Sequence, residues 1–382
     1  PLLSLLLPLK AEVIAPDDKL FLLSITLLAG ATMASIANIW GGAISDKMFA
    51  RTASRTEQMV VSLILILFSY FMFWKANDWV SLLLSILFFQ LSFNFLFAPL
   101  GALLADHVPD RTKGRAAALL NLGTPIATLS IALLSVPALA GEDVRLSFIS
   151  LTVFLMILPL VMFVKRAKMT AVSRPEVISP APVEGSNQND FVWAWLARLF
   201  VQFSGAVMFG YLLYFLQDIV DYTKLFPDQS VDQGMGKLSL AATPVTIVMG
   251  ILAGMISDKM GLRRPFLIVS ALMIAAAIFS MSLYPTWTLV FATYVAFICG
   301  LTTFLTTDAA LVAQLLSGDQ YRARKLGFMN LTNTIPAILV PATALALSGS
   351  GLQAESLVYL MQLAAILAIC AAFAASRIRT VA

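Results

Sequence analysis

Asp308 offers the most chemistry in this sequence. It follows Thr302, Thr303, Thr306 and Thr307 inside an apolar run and lies six residues before Gln314. In a helix that spacing puts it on the order of 9 Å inside the end of the run. An ionised carboxylate is costly there unless a cation pairs with it or a proton neutralises it, which suits a group that takes up and releases a proton. Arg198, inside another apolar run, is the first candidate partner. Each residue has a plainer use: Asp308 could pair with an interfacial arginine such as Arg322, and Arg198 could snorkel to the interface. Gln202 stands at i+4 from Arg198, on the same helix face. Further polar side chains share these runs: Gln90 and Asn94, Asn121, Tyr211, Tyr214 and Gln217, then Asn330 and Asn333. Amides and phenols beside Phe93, Phe97 and Phe215 suit a sugar, which presents hydroxyls at its edge and C–H groups on its faces. For any one amide, gluing two helices together is the alternative.

The composition decides what must position these groups. Of 382 residues 59% are hydrophobic and 12% charged, and mean hydropathy is +0.88; a soluble domain has about 25% charged residues. Soluble enzyme, nucleic-acid binder and disordered scaffold are all poor readings. A net charge of +4 from 25 basic and 21 acidic residues points to no nucleic-acid partner, because the basic residues fall in short clusters between apolar runs. Cys299 and Cys370 lie within apolar segments and suggest neither disulfide nor metal. One histidine, His107, leaves no room for a zinc cluster or a histidine triad. No nucleophile and base, and no metal-ligand set, share one depth, so an enzyme is not expected. No glycine-rich phosphate loop is present, so ATP is not the driver. No cofactor is expected beyond a coupling ion, a proton or else sodium.

Spans of about 20 apolar residues cross a membrane as helices. Eleven are read at 19–44, 57–74, 79–105, 116–139, 146–164, 191–219, 235–256, 266–283, 288–314, 326–348 and 356–375. Pro1–Leu9 is apolar but too short, and the polar stretch Lys10–Asp18 follows it, so it reads as the tail of a truncated first helix. The expected fold is an all-α polytopic membrane protein of twelve helices. Eighteen basic residues fall in the even-to-odd loops and the C-terminal segment, from Lys47, Arg51 and Arg55 to Arg377 and Arg379. Six fall on the other side: Lys10, Lys19, Lys75, Arg145, Lys224 and Lys237. The bias places the C-terminus and the central linker in the cytoplasm. That linker, 165–189, carries Pro175, Pro180 and Pro182 and no apolar run. It separates six-helix halves at 1–164 and 190–382.

The halves repeat each other. Gly42-Ala-Ile-Ser-Asp46-Lys47-Met48 after the second of the twelve helices, the truncated one counted first, matches Gly254-Met-Ile-Ser-Asp258-Lys259-Met260 after the eighth at six of seven positions, 212 residues apart. A fainter echo joins Arg115–Leu122 to Arg324–Leu331. A repeat of six helices in one orientation relates two bundles by an axis along the membrane normal.

The second copy, with Gly254, Asp258, Lys259, Gly261, Arg263 and Arg264, resembles the loop signature of the major facilitator superfamily. The first copy departs from it, with Phe49 in the place of the glycine. The resemblance covers essentially the whole chain. Tyr211–Asp218, Asp308–Ala313 and Gly327–Pro336 resemble the branch of sucrose–proton and glycoside–cation symporters. It implies a secondary transporter of a small polar solute, working as a monomer in a plasma or bacterial inner membrane. It also implies that Asp46 approaches the start of the eleventh helix near Arg324–Gly327, and Asp258 the start of the fifth near Lys113–Ala116. There each would meet a helix N-terminus and help to close the cytoplasmic side. The fourth helix, 79–105, lacks the buried arginine common in drug exporters of this superfamily. The fifth helix, 116–139, has Gly123-Thr-Pro125 without their extended glycine-rich motif. Both absences favour symport. The alternatives are an exporter of amphipathic small molecules and a sensor or scaffold that transports nothing.

Overall fold

The computed structural model describes residues 1–52, 56–107, 123–166, 188–316, 322–348 and 353–379. The described residues are almost all helical. In lipid each backbone N–H and C=O must be satisfied within its own segment, and the long apolar runs do this as helices. A π-turn at Leu2–Leu6 leads into α1 (Leu7–Ile14). Then come α2 (Lys19–Thr52), α3 (Thr56–Lys75), α4 (Trp79–His107), α5 (Gly123–Leu134) and α6 (Glu142–Arg166). The second half holds α7 (Gln188–Tyr214, prolonged by a π-turn to Ile219), α8 (Val231–Met260), α9 (Arg264–Leu283), α10 (Trp287–Leu315), α11 (Arg322–Ser348) and α12 (Gln353–Ser376). Among the described residues ten helices are long and apolar enough to cross a membrane. α5 is shorter, and residues 116–122 of its expected span lie outside the described residues.

Two expectations need correction. The polar stretch after Leu9 is helical as far as Ile14. Its lysine is not in a loop: Lys10 is buried, with its ammonium 2.7 Å from Glu142 Oε1 and donating to the Trp74 carbonyl at 3.2 Å. A hydrated charge among Glu12, Asp17 and Asp18 reads as loop in sequence, but an ion pair lets the helix carry it inward. The signature, too, is helix rather than loop. Gly42–Met48 lies inside α2 and Gly254–Met260 ends α8. A residue that differs between the copies decides whether the helix stops at this point. Gly261 takes φ +66° and caps α8, a left-handed conformation that glycine enters at no steric cost. Phe49 offers no such exit, and α2 runs on to Thr52.

The helices form two compact units: Pro1–Leu9 with Thr124–Val136 and Ile178–Ala382, and Lys10–Gly123 with Pro137–Val177. In the first, glycines allow close crossings. A Cβ on Gly236 of α8 would lie 2.6 Å from Ser135 Cβ, and one on Gly300 of α10 would lie 3.0 Å from the Ser270 carbonyl of α9. In the second, α4 is launched by Asp78, whose carboxylate accepts the Val80 and Ser81 amides at 2.9 and 3.0 Å. Backbone and side-chain hydrogen bonds from Ser81 hold the Asp78 carboxyl below its ordinary range. A lowered folded pKa gives stability that is present above the unfolded value and lost as pH falls through the folded one. Acidification should therefore fray the first turn of α4, raising hydrogen exchange at Val80 and Ser81. Asp78→Asn should flatten that pH dependence, and an unchanged profile would deny the cap its role.

Candidate transport site

Within the first unit α7 and α10 run antiparallel along one seam. Gly205 of α7 faces Leu301 of α10: a Cβ there would meet both Leu301 methyls at 4.0 Å. One turn on, Phe209 meets Phe297 edge-on at 6.1 Å between centroids. In the other direction the seam turns polar. Arg198 Nη1 donates to Asp308 Oδ2 at 3.0 Å. The partner read from the sequence is thus the one the fold supplies, and the side chain of Arg322 lies outside the described residues. The Asp308 side chain is 1% exposed and that of Arg198 21%. Asp308 Oδ1 and Arg198 Nε are buried without a protein partner, so the pair keeps a buried acceptor atom and a buried donor atom in reserve.

Gln202, a turn along α7 from Arg198, donates through Nε2 to Asn333 Oδ1 of α11. Asn333 is exposed and Gln202 half-buried, so this amide pair borders open space next to the closed ion pair. Beyond Arg198, toward the start of α7, the seam closes again. Phe191, Val312, Leu316 and Met329 form an apolar cluster with Trp195 against it. Trp195 stacks on Phe328 at 5.2 Å and donates to its carbonyl at 2.9 Å.

The threonines before Asp308 are divided by helix periodicity. Thr302 and Thr306 turn away from α7 and place methyls 3.7 and 3.6 Å from where Cβ atoms on Gly250 and Gly254 would stand. The signature glycine Gly254 thus serves close packing of α8 on α10. Thr303 and Thr307 are buried.

The remaining residues read from the sequence are scattered. Tyr211 and Tyr214 are fully buried, and the Tyr214 hydroxyl donates to the Pro8 carbonyl at 2.9 Å. Gln217 is half-buried in the π-turn that ends α7, and Asn330 is exposed on α11. In the second unit Asn94 Nδ2 donates to the Gln90 carbonyl one turn back at 2.9 Å, and Gln90 lies against Gly30 of α2. The rings of Phe89, Phe93 and Phe97 form a stacked ladder along the same helix. Asn121 lies outside the described residues.

In the signature, Arg263 is buried and donates to Ser257 Oγ at 2.8 Å and to the Asp258 carboxylate. Arg264 donates to the Ser376 carbonyl at the end of α12. Lys47 and Lys259 are exposed, and a Cβ on Gly42 would meet nothing within 4 Å. The side chain of Asp46 and residues Lys113–Ala116, the expected neighbours of Asp258, lie outside the described set.

Among the buried charges that escape the sequence reading, two join distant parts of the chain. One is Lys10. The other is Asp190 in the first turn of α7, which accepts the Arg379 amide at 3.1 Å and ties down the chain after α12. Their signal was faint, since each stands among polar neighbours at a span's end. Among the described residues no group of three His, Cys, Asp or Glu side chains could hold a metal.

The family model of the Major Facilitator Superfamily matches residues 4–341. The chain belongs to the major facilitator superfamily. It is an integral membrane transporter rather than an enzyme. Among curated protein sequences none matches it. Solved structures with the same fold include a bacterial homologue of the human lysosomal transporter Spinster, in two forms. The inward-facing, unoccupied form is 16% identical, with a TM-score of 0.63, covering 97% of this chain and 95% of that one. The inward-facing, occupied form is 17% identical, with a TM-score of 0.61, covering 99% and 98%.

Proposed function

We propose that this superfamily member works by alternating access as a proton-coupled symporter of a sugar, glycoside or similar small polar solute. The observation that carries the reading is the buried ion pair of Arg198 and Asp308 inside two membrane-spanning helices, beside the open amide pair of Gln202 and Asn333. Asp308 is the proton-coupling group and Arg198 its counter-ion. The amide pair, with the exposed amide of Asn330 three residues from Asn333 on α11, supplies hydrogen bonds to solute hydroxyls. The sucrose and glycoside branch remains the first choice for substrate class. A second reading, an exporter of amphipathic small molecules, has one observation in its favour. A recess of about 560 Å³ between α8, α9 and α10 is lined by Pro244, Val248, Met249, Met273, Val295 and Cys299 and is almost wholly apolar.

A thermal-shift screen of the purified chain separates the two. A ligand that binds only the folded state raises the unfolding midpoint. Shifts with sugars or glycosides support the first reading; shifts with amphipathic cations alone overturn it. The topology is tested separately. Single cysteines at Ser179 in the linker and Ser230 before α8 should be modified by an impermeant reagent from opposite sides, Ser179 from the cytoplasm. Modification of both from one side would end the proposed orientation.

A further inference from the structure

A proline inside a helix leaves a carbonyl without its donor, and α4 contains one. Pro99 has no N–H to offer the carbonyl of Phe95, four residues earlier. In a membrane-spanning helix a bare carbonyl is costly, so a neighbour must supply the missing bond. Here it comes from α3. Gln58 Nε2 donates to the Phe95 carbonyl at 3.0 Å. The same amide nitrogen donates its other hydrogen to the Gly41 carbonyl of α2 at 3.2 Å. Gln58 is completely buried. A Cβ on Gly41 would lie 3.2 Å from the Asn94 carbonyl and 3.3 Å from Phe95 Cα, so α2 and α4 touch backbone to backbone at this point. The contact is one residue from Gly42, where the repeated signature begins.

We infer that Gln58 is a positioning residue for the conformational cycle: it holds the carbonyl that Pro99 strands and so fixes how the end of α4, Leu100–His107, leaves the membrane. The amide makes the proline site of α4 a defined pivot joined to α2 and α3, where a bare carbonyl would draw in water. Gln58 Oε1 is buried with no protein partner, so the amide is held in place by its donor side alone. The inference depends on superfamily membership, and the identity of substrate or ion does not enter it.

The test is a double-variant cycle on the full chain in detergent. Gln58→Met keeps length and volume but removes both donors. Pro99→Ala restores the helix's own bond to Phe95 and removes the need for Gln58 there. Hydrogen exchange is followed across α4, and a spin-label distance is measured between Val60 on α3 and Leu103 on α4. A lost bond to a buried carbonyl corresponds to about a tenfold change. Gln58→Met should therefore raise exchange around Pro99 by about tenfold and broaden the Val60–Leu103 distance distribution. In the Pro99→Ala background the same change should alter exchange less than about twofold and leave a single distance. Equal effects in both backgrounds would overturn the inference, since Gln58 would then act through Gly41 or by packing alone. A stability loss with unchanged distances would also overturn it. If Gln58→Met alone does not fold, recovery in the double variant supports the inference and failure of both overturns it.

Discussion

Asp308→Asn is expected to abolish uphill accumulation of substrate while leaving exchange across the membrane largely intact. The asparagine keeps the size of the side chain and imitates the protonated carboxyl permanently. Net uptake driven by a proton gradient needs the carboxyl to gain its proton on one side and lose it on the other. Exchange needs no net proton movement. The measurement is made in proteoliposomes with the solute found by the thermal-shift screen, with and without an imposed pH gradient. The Asp308 side chain is 1% exposed, so the substitution changes a closed compartment and not a surface. Accumulation against a gradient by the variant would make Asp308 structural and move the coupling group elsewhere in the chain.

The second large effect concerns the other half of the pair. Arg198→Leu leaves an unpaired carboxylate at full burial, and removing one partner of a buried pair costs about 3–5 kcal/mol. Against a folding margin of about 5–15 kcal/mol that is a severe loss. The unfolding midpoint should fall sharply, and adding Asp308→Asn to the same chain should recover most of the loss. Non-additivity of this kind is what contact predicts. Equal destabilisation by Arg198→Leu with and without Asp308→Asn would mean that the guanidinium matters for packing alone.

The ion pair was legible because two charges within long apolar runs have few other partners to choose from. The helices were legible for the same reason: nothing interrupts the runs. Lys10 and Gln58 were not. Each stands near the end of a span, where a polar residue reads as interfacial, and only the fold shows that Glu142 and the Phe95 carbonyl wait for them. The demand that Pro99 makes on its neighbours is visible in sequence, but the residue that answers it lies 41 positions away on another helix. The signature's spacing identifies it, while the point at which its helix stops turns on Phe49 against Gly261. Amides such as Gln90 and Asn94 carry the least information, since a bond to their own helix satisfies them as well as a ligand would.

The seam has a kinetic consequence. Asp308 lies between an apolar cluster toward the start of α7 and the Phe209–Phe297 contact, and its carboxylate is covered by its own counter-ion. The half-open residues beside it are Arg198 and Gln202. A proton arriving from the amide turn therefore meets the guanidinium first. Under the proposed mechanism a solute that draws Arg198 toward itself unlocks the carboxylate, and in its absence the lock stays shut. Under that mechanism the arrangement imposes an order of events, with solute before proton. The same proposed order would suppress futile ion leakage, which would otherwise drain the gradient whenever the carrier cycled empty.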